Sequence, residues 1–116
     1  MKTGKVWGST EVVIATPLFE AHRLVIHPKR QCSLHAHRQK WNAFLVLKGK
    51  LFIEVKKNDY KLTDVTEIGP GQLTTVAPGE YHLFRTGNEP CEAYEFYYLS
   101  PLSTDIMRKN VGGRVK

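Results

Sequence analysis

Three histidines have a spacing that suits a metal ion. His35 and His37 stand two apart in "SLHAH", and His82 follows a Pro-Gly turn in "APGEYH". Side chains two apart on an extended chain project from one face, so the strand expected over "SLHAH" presents two imidazoles together. Alone, such a pair also occurs as two exposed strand histidines. His82, at the start of another expected strand, adds a third imidazole. Three imidazoles from two segments fill one face of a coordination sphere and leave positions open for a substrate. His22 and His27 lack partners at such spacing and read as ordinary strand or turn histidines.

The elements that must position these groups are short strands. "EVVIATP" and "HRLVIHP" are rich in β-branched residues and each ends in Pro. "AFLVLKGKLFIEVKKND" reads as two strands meeting at a Gly49 turn. "YKLTDVTEI" alternates in polarity before "GPG", and "QLTTVAPGEYHLFRT" carries an internal Pro-Gly turn. "EAYEFYYL" is a last, aromatic strand. Turn signals recur at the spacing of an all-β sandwich or barrel. The one helical expectation is a turn near "STDIMRKN".

The chain has 116 residues, enough for one domain with its own core. We read it as a single domain over 1–116, with an N-terminal strand arm over about 1–20 and a basic tail over about 101–116. Two cysteines, Cys32 and Cys91, form neither a disulfide framework nor a CxxC pair. They are expected as reduced thiols in a cytoplasmic protein. The N-terminal "MKTGKVWGST" lacks the apolar stretch of a signal peptide, and no apolar run is long enough to span a membrane. The formal net charge of +6 is spread along the chain. That distribution argues against a nucleic-acid-binding arm and fits a protein that draws in small anions, or a solvated basic surface.

The residues resemble the two motifs of the cupin superfamily. The first is HxH, four residues, an acid, six residues, then Gly; here it is His35, His37, Asn42 and Gly49. The second is Gly71, Pro78, Gly79 and His82, with Asn88 downstream. A wider resemblance, carried by "KVWGSTEVV", "FEAHRLVIHPKRQCSLHAH", "APGEYH", "GNEPCEAYEF" and "DIMRKNVGGR", is to the cupin domain of type II mannose-6-phosphate isomerases. In bifunctional enzymes that domain follows a GDP-mannose pyrophosphorylase domain, which is not expected in this chain. The resemblance implies an all-β, double-stranded β-helix (jelly-roll) barrel. It also implies a stand-alone isomerase-like domain with a divalent metal cofactor (Zn, Mn, Ni or Fe) and a homodimeric state. The implied metal set is His35, His37, Asn42 and His82.

Two positions depart from that family. The isomerases tend to have Gln at the place of His35 and an acid at the place of Asn42. An amide oxygen carries no charge, so a bound ion would be held less tightly and would be a stronger Lewis acid. Asn42 either ligates the ion or hydrogen-bonds a water on it. For the substrate, the resemblance implies a phosphosugar whose phosphate is gripped by Arg114 of the tail, with Lys40 and Arg85 behind it. Arg38, next to His37, is expected to point to the other face. Glu95 falls at the place of a family acid and is the candidate proton carrier. It shares a face with Ala93 and Tyr97, and alternation alone does not say whether that face is inward. Two other functions suit the same residues: an iron dioxygenase using three imidazoles, and a non-catalytic metal- or carbohydrate-binding cupin.

Overall fold

The computed structural model describes residues 1–57, 62–100 and 105–115. Among them the chain forms nine strands: β1 (Lys2–Lys5), β2 (Gly8–Ala15), β3 (Phe19–Ile26), β4 (Trp41–Lys48), β5 (Leu51–Lys57), β6 (Leu62–Ile68), β7 (Leu73–Val76), β8 (His82–Arg85) and β9 (Cys91–Tyr98). They pair in two antiparallel sheets, β1-β2-β3-β9-β4-β7 and β6-β5-β8. From β4 onward the chain changes sheet at every connection but the β5–β6 hairpin, which makes a jelly-roll barrel rather than a meander.

Period-two patterning selects the inward face. In β9, Cys91, Ala93 and Glu95 are buried while the alternate residues are partly exposed. Registry carries that face across three strands. Leu24, Ala93 and Val46 lie side by side, then His22, Glu95 and Phe44, then Glu20, Tyr97 and Asn42. The barrel interior is therefore graded. One end is apolar, with Leu24, Ile26, Val46, Leu51, Ile53, Cys91 and Ala93 in one buried cluster. The other end collects Asn42, Glu95, Tyr97 and the histidines.

The stretch "SLHAH" is not a strand. It runs as an extended loop in which His35 alone bridges His82. The expected helical turn also fails. Of "STDIMRKN", residues 103 and 104 lie outside the described residues, and 105–110 adopt no helix. The start of "YKLTDVTEI" likewise lies outside them, and β6 begins at Leu62. The arm folds within the chain, as the β1–β2 hairpin laid along β3.

Gly49 sits where the chain leaves one sheet for the other. Its φ of 81° is in the left-handed region, and a Cβ there would lie 2.2 Å from the Pro90 carbonyl oxygen. Both features exclude a side chain. Gly49→Ala is expected to destabilise the fold by roughly 2–4 kcal/mol, from φ strain plus displaced backbone. Urea unfolding measures it. A loss below about 0.5 kcal/mol, the level of a surface substitution, would mean that the corner relaxes freely.

Candidate metal centre

The loop and strand that carry the three histidines are joined by backbone hydrogen bonds. The His35 N–H donates to the His82 carbonyl at 3.0 Å, and the His82 N–H donates back at 2.8 Å. The Pro-Gly turn adds a third tie, from the Gly79 N–H to the His37 carbonyl at 2.7 Å. Gly79 has φ 84°, which is why this turn needs glycine. Glu80 braces it, its carboxylate accepting from the Ala77 N–H at 3.0 Å and from Lys57 Nζ at 2.7 Å. The Lys57 ammonium holds the Glu80 carboxyl below its usual range.

These ties bring one nitrogen of each ring together. The ligating atoms of His35, His37 and His82 all lie within 4.8 Å of one another. Two rings are oriented by the same local device. His35 Nδ1 lies 2.7 Å from the Ser33 carbonyl, and His82 Nδ1 lies 2.9 Å from the Glu80 carbonyl, each two residues back. An Nδ1–H donating there leaves Nε2 as a bare lone pair. His37 Nε2 is buried and has no hydrogen-bond partner. Burial, then the neighbouring imidazoles of His35 and His82 and the Lys40 ammonium, push His37 down to about 4. Burial also lowers His82. Neutral imidazoles are the form that binds a metal.

Asn42 completes the set. It is fully buried, and its Nδ2 donates to the Phe96 carbonyl at 3.0 Å, which fixes the amide orientation. Oδ1 therefore points at His82 Nε2, 3.1 Å away. With the His82 proton on Nδ1, two lone-pair atoms face each other at this distance. Donors about 2.1 Å from a shared ion, at neighbouring positions of its shell, stand about this far apart. The donor set of three imidazoles and one amide oxygen fits a divalent cation.

Glu95 points inward, beside Asn42 and Tyr97, and is 6% exposed. Burial pushes its carboxyl up to about 7, with hydrogen bonds from Tyr97 and Asn42 pulling the other way. It is outside the histidine cluster. Lys40 lies over the Tyr97 ring, its Nζ 5.3 Å from the centroid, close enough to act on His37.

The other proposed phosphate contacts are not brought here. In β8 the inward residues are His82 and Phe84, so Arg85 points outward. There it pairs with Glu54 and lies over the Phe52 ring at 4.5 Å. Arg114 is exposed in the 105–115 tail, and among the described residues no hydrogen bond or ion pair ties it to the barrel. Arg38 is exposed.

His22, read from sequence as an ordinary strand or turn histidine, lies in strand β3, where it faces inward next to Glu95 and lines a cavity beside His35. The signal lay in "HRLVI", where His22 alternates with Leu24 and Ile26 on the buried face. Both cysteines are free and buried, and burial pushes each thiol up to about 11.

Residues 22–97 match the family described as Cupin domain. The chain belongs to the cupin family. A curated relative, the mannose-1-phosphate guanylyltransferase of Klebsiella pneumoniae, is 28% identical over 100 residues. That match covers 85% of this cupin but only 20% of the relative, so the chain spans about a fifth of that protein's length. Solved cupin-fold structures superpose closely at low identity. The capsular polysaccharide assembling protein CapF from Staphylococcus aureus has a TM-score of 0.75 at 17% identity, over 89% of this chain and 29% of that one. An oxalate decarboxylase variant from Bacillus subtilis has a TM-score of 0.75 at 14% identity, over 89% and 28%. KdgF from Halomonas sp. has a TM-score of 0.68 at 13% identity, over 80% and 79%. These likenesses concern the fold. No helix among the described residues is long and apolar enough to cross a membrane.

Two predictions concern this cupin's centre. His82→Ala should weaken divalent-metal binding at least a hundredfold. Asn42→Asp should tighten it by one to two orders of magnitude, roughly 1.4–2.8 kcal/mol, by adding a charge beside the ion. The same change costs the metal-free protein about 1–3 kcal/mol, because the Phe96 carbonyl loses its donor. Titration against a competing chelator, with melts of the metal-free forms, separates the two effects. Unchanged affinity in Asn42→Asp would remove Asn42 from the centre.

The second is a pH dependence. The Glu95 carboxyl ionises at 4.5 when solvated and near 7 when folded. In the metal-free protein, stability is therefore lost as pH rises between those values, and the loss is complete above pH 7. At about 1.4 kcal/mol per unit it is on the order of 3 kcal/mol. The advantage of Glu95→Gln over wild type in urea midpoint should grow across this window and then level off. A pH-independent difference would mean that the Glu95 carboxyl is solvated.

Proposed function

We propose that this cupin is a metal-dependent sugar-phosphate isomerase, interconverting a phosphorylated aldose and ketose. The carrying observation is the buried Glu95 carboxyl hydrogen-bonded to Asn42, whose amide oxygen reaches His82 of the three-histidine cluster. A divalent ion held by those imidazoles and Asn42 Oδ1 would polarise the carbonyl and hydroxyl oxygens on neighbouring carbons of a substrate. Glu95 supplies what remains, a group that takes a proton from one carbon and returns it to the next. A carboxyl near 7 does both at neutral pH, since neither its acid nor its base form is strongly favoured. Burial pushes the Tyr97 phenol far upward, so it stays protonated and acts as a donor to the carboxylate. Lys40, over the Tyr97 ring, adds positive potential felt at His37.

Kinship supports a sugar-phosphate substrate. The curated relative is named for mannose 1-phosphate, and the sequence resembles the cupin domain of mannose-6-phosphate isomerases. Mannose 6-phosphate and fructose 6-phosphate are the first pair to test. A homodimer accords with the exposed apolar side chains of Val12, Val13, Ile14 and Leu18 along the arm. One observation favours a second function: among the described residues no carboxylate joins the histidine cluster, which suits an iron-dependent oxygenase.

The metal-loaded protein is expected to interconvert the two hexose phosphates, and Glu95→Gln to lose at least a hundredfold in kcat with KM little changed. Coupled assay of both directions measures it, beside an oxygen electrode. Oxygen uptake without isomerisation would favour the oxygenase. Neither activity, with ligand-induced thermal stabilisation, would make this a binding cupin.

A further inference from the structure

The N-terminal hairpin brings a cation and a hydroxyl to a cavity that His35 of the metal centre also lines. A cavity of about 270 Å³, of small-molecule size, lies between the hairpin and His35. Lys5, Thr10 and His22 line it from three successive strands of one sheet, and Ser33 and His35 line it from the histidine loop. Registry explains the convergence. Lys5 pairs with Gly8, Gly8 with Ile26, and Thr10 with Leu24, so Lys5 and Thr10 share the inward face of the buried β3 residues. Lys2 pairs with Glu11 on the other face.

The hairpin is anchored. Trp7 is buried and meets the Phe84 ring edge-on at 5.0 Å, and its carbonyl accepts from the His27 N–H at 2.9 Å. Gly8 lets the strand come close, since a Cβ there would lie 1.8 Å from the Val25 carbonyl oxygen.

Two independent observations mark this wall as a recognition surface. Lys5 is the one fixed charge among the described residues lining the cavity. His22 Nε2 is buried with no hydrogen-bond partner, and the nearest carboxylate, Glu20, is 3.7 Å away, beyond bonding distance. His22 is one of the side chains lining the cavity, and its Nε2 is not committed to a protein partner among the described residues. An ammonium, a hydroxyl and an imidazole N–H match the several acceptor oxygens of a phosphate.

We propose that Lys5, Thr10 and His22 form the subsite that holds the substrate's phosphate while its reacting carbons lie at the histidine cluster. The assignment rests on the sugar-phosphate function above, and it replaces Arg114 and Arg85 as the grip. Lys40 lines a separate, smaller cavity of about 110 Å³ with Glu20 and residues of the 16–19 turn.

Calorimetric titration of the metal-loaded protein with inorganic phosphate, mannose 6-phosphate and mannose tests it. Wild type should bind mannose 6-phosphate at least tenfold more tightly than mannose. Lys5→Ala should lose about tenfold for both phosphate ligands and nothing for mannose, and His22→Gln should weaken both phosphate ligands. Lys2→Ala should match wild type. Wild-type phosphate affinity in Lys5→Ala, or a loss confined to Lys40→Ala, would overturn the subsite. Because the readout is binding, Lys5-dependent phosphate affinity without turnover would defeat the isomerase and leave the subsite standing. Isomerisation with an unaltered KM in Lys5→Ala would defeat the subsite alone.

Discussion

The reciprocal backbone hydrogen bonds between His35 and His82 are the contact on which the centre depends. They join a loop with no strand partner of its own to the first residue of β8. Without them, His35 would lose its direct backbone link to β8, and the nearest remaining ties would be those of Cys32 to Phe84 and of His37 to Gly79. With them, the two i−2 carbonyl contacts at Nδ1 can aim both Nε2 atoms at a common point. The Gly79 N–H extends the same seam to His37. Backbone bonds suit this role because they do not depend on side-chain rotamers, so the imidazoles are positioned before any ion arrives.

Asn42 is an amide because its surroundings ask for a donor and an acceptor at once. The Phe96 carbonyl is buried beside it and needs an N–H. On its other side stand His82 Nε2 and the Glu95 carboxyl, which need, respectively, a cation between lone pairs and a hydrogen-bond donor. A carboxylate at this position would leave the carbonyl unpaired and set a second buried negative charge near Glu95. Charge lost from the ligand set is thus retained close by, on Glu95. That group is neutral or ionised according to its environment, where a directly ligating carboxylate would be locked in one form.

The barrel interior combines two demands. Its apolar end, with Leu24, Ile26, Val46, Ile53 and Ala93, supplies the burial that holds the sheets together. At its polar end hydrogen bonds hold His35, Asn42 and His82, while the His22 and His37 rings pack edge-on with Tyr97. The gradient follows from strand alternation, which lets one face of β9 read Cys91, Ala93, Glu95, Tyr97, from apolar to polar along a single strand.

The sequence by itself determined the strand periodicity, the turns and the HxH and PGxxH spacings, and those suffice for an all-β cupin barrel with a three-histidine cluster. Each is a local property, written in alternation or in a glycine that must adopt positive φ, as at Gly49 and Gly79. Only the tertiary structure decided which face of β9 turns inward, since Glu95 and its flanking aromatics alternate equally well either way. It also separated the cations. Lys5 and Arg85 are alike in sequence as single basic residues on strands, yet one lines the cavity and the other pairs with Glu54 on the outer surface. The surroundings of His22 have the same origin: its neighbours are Glu95, in register on β9, and His35, from a loop bridged to the other sheet. Register between distant strands places such groups together, and no single stretch of chain carries register.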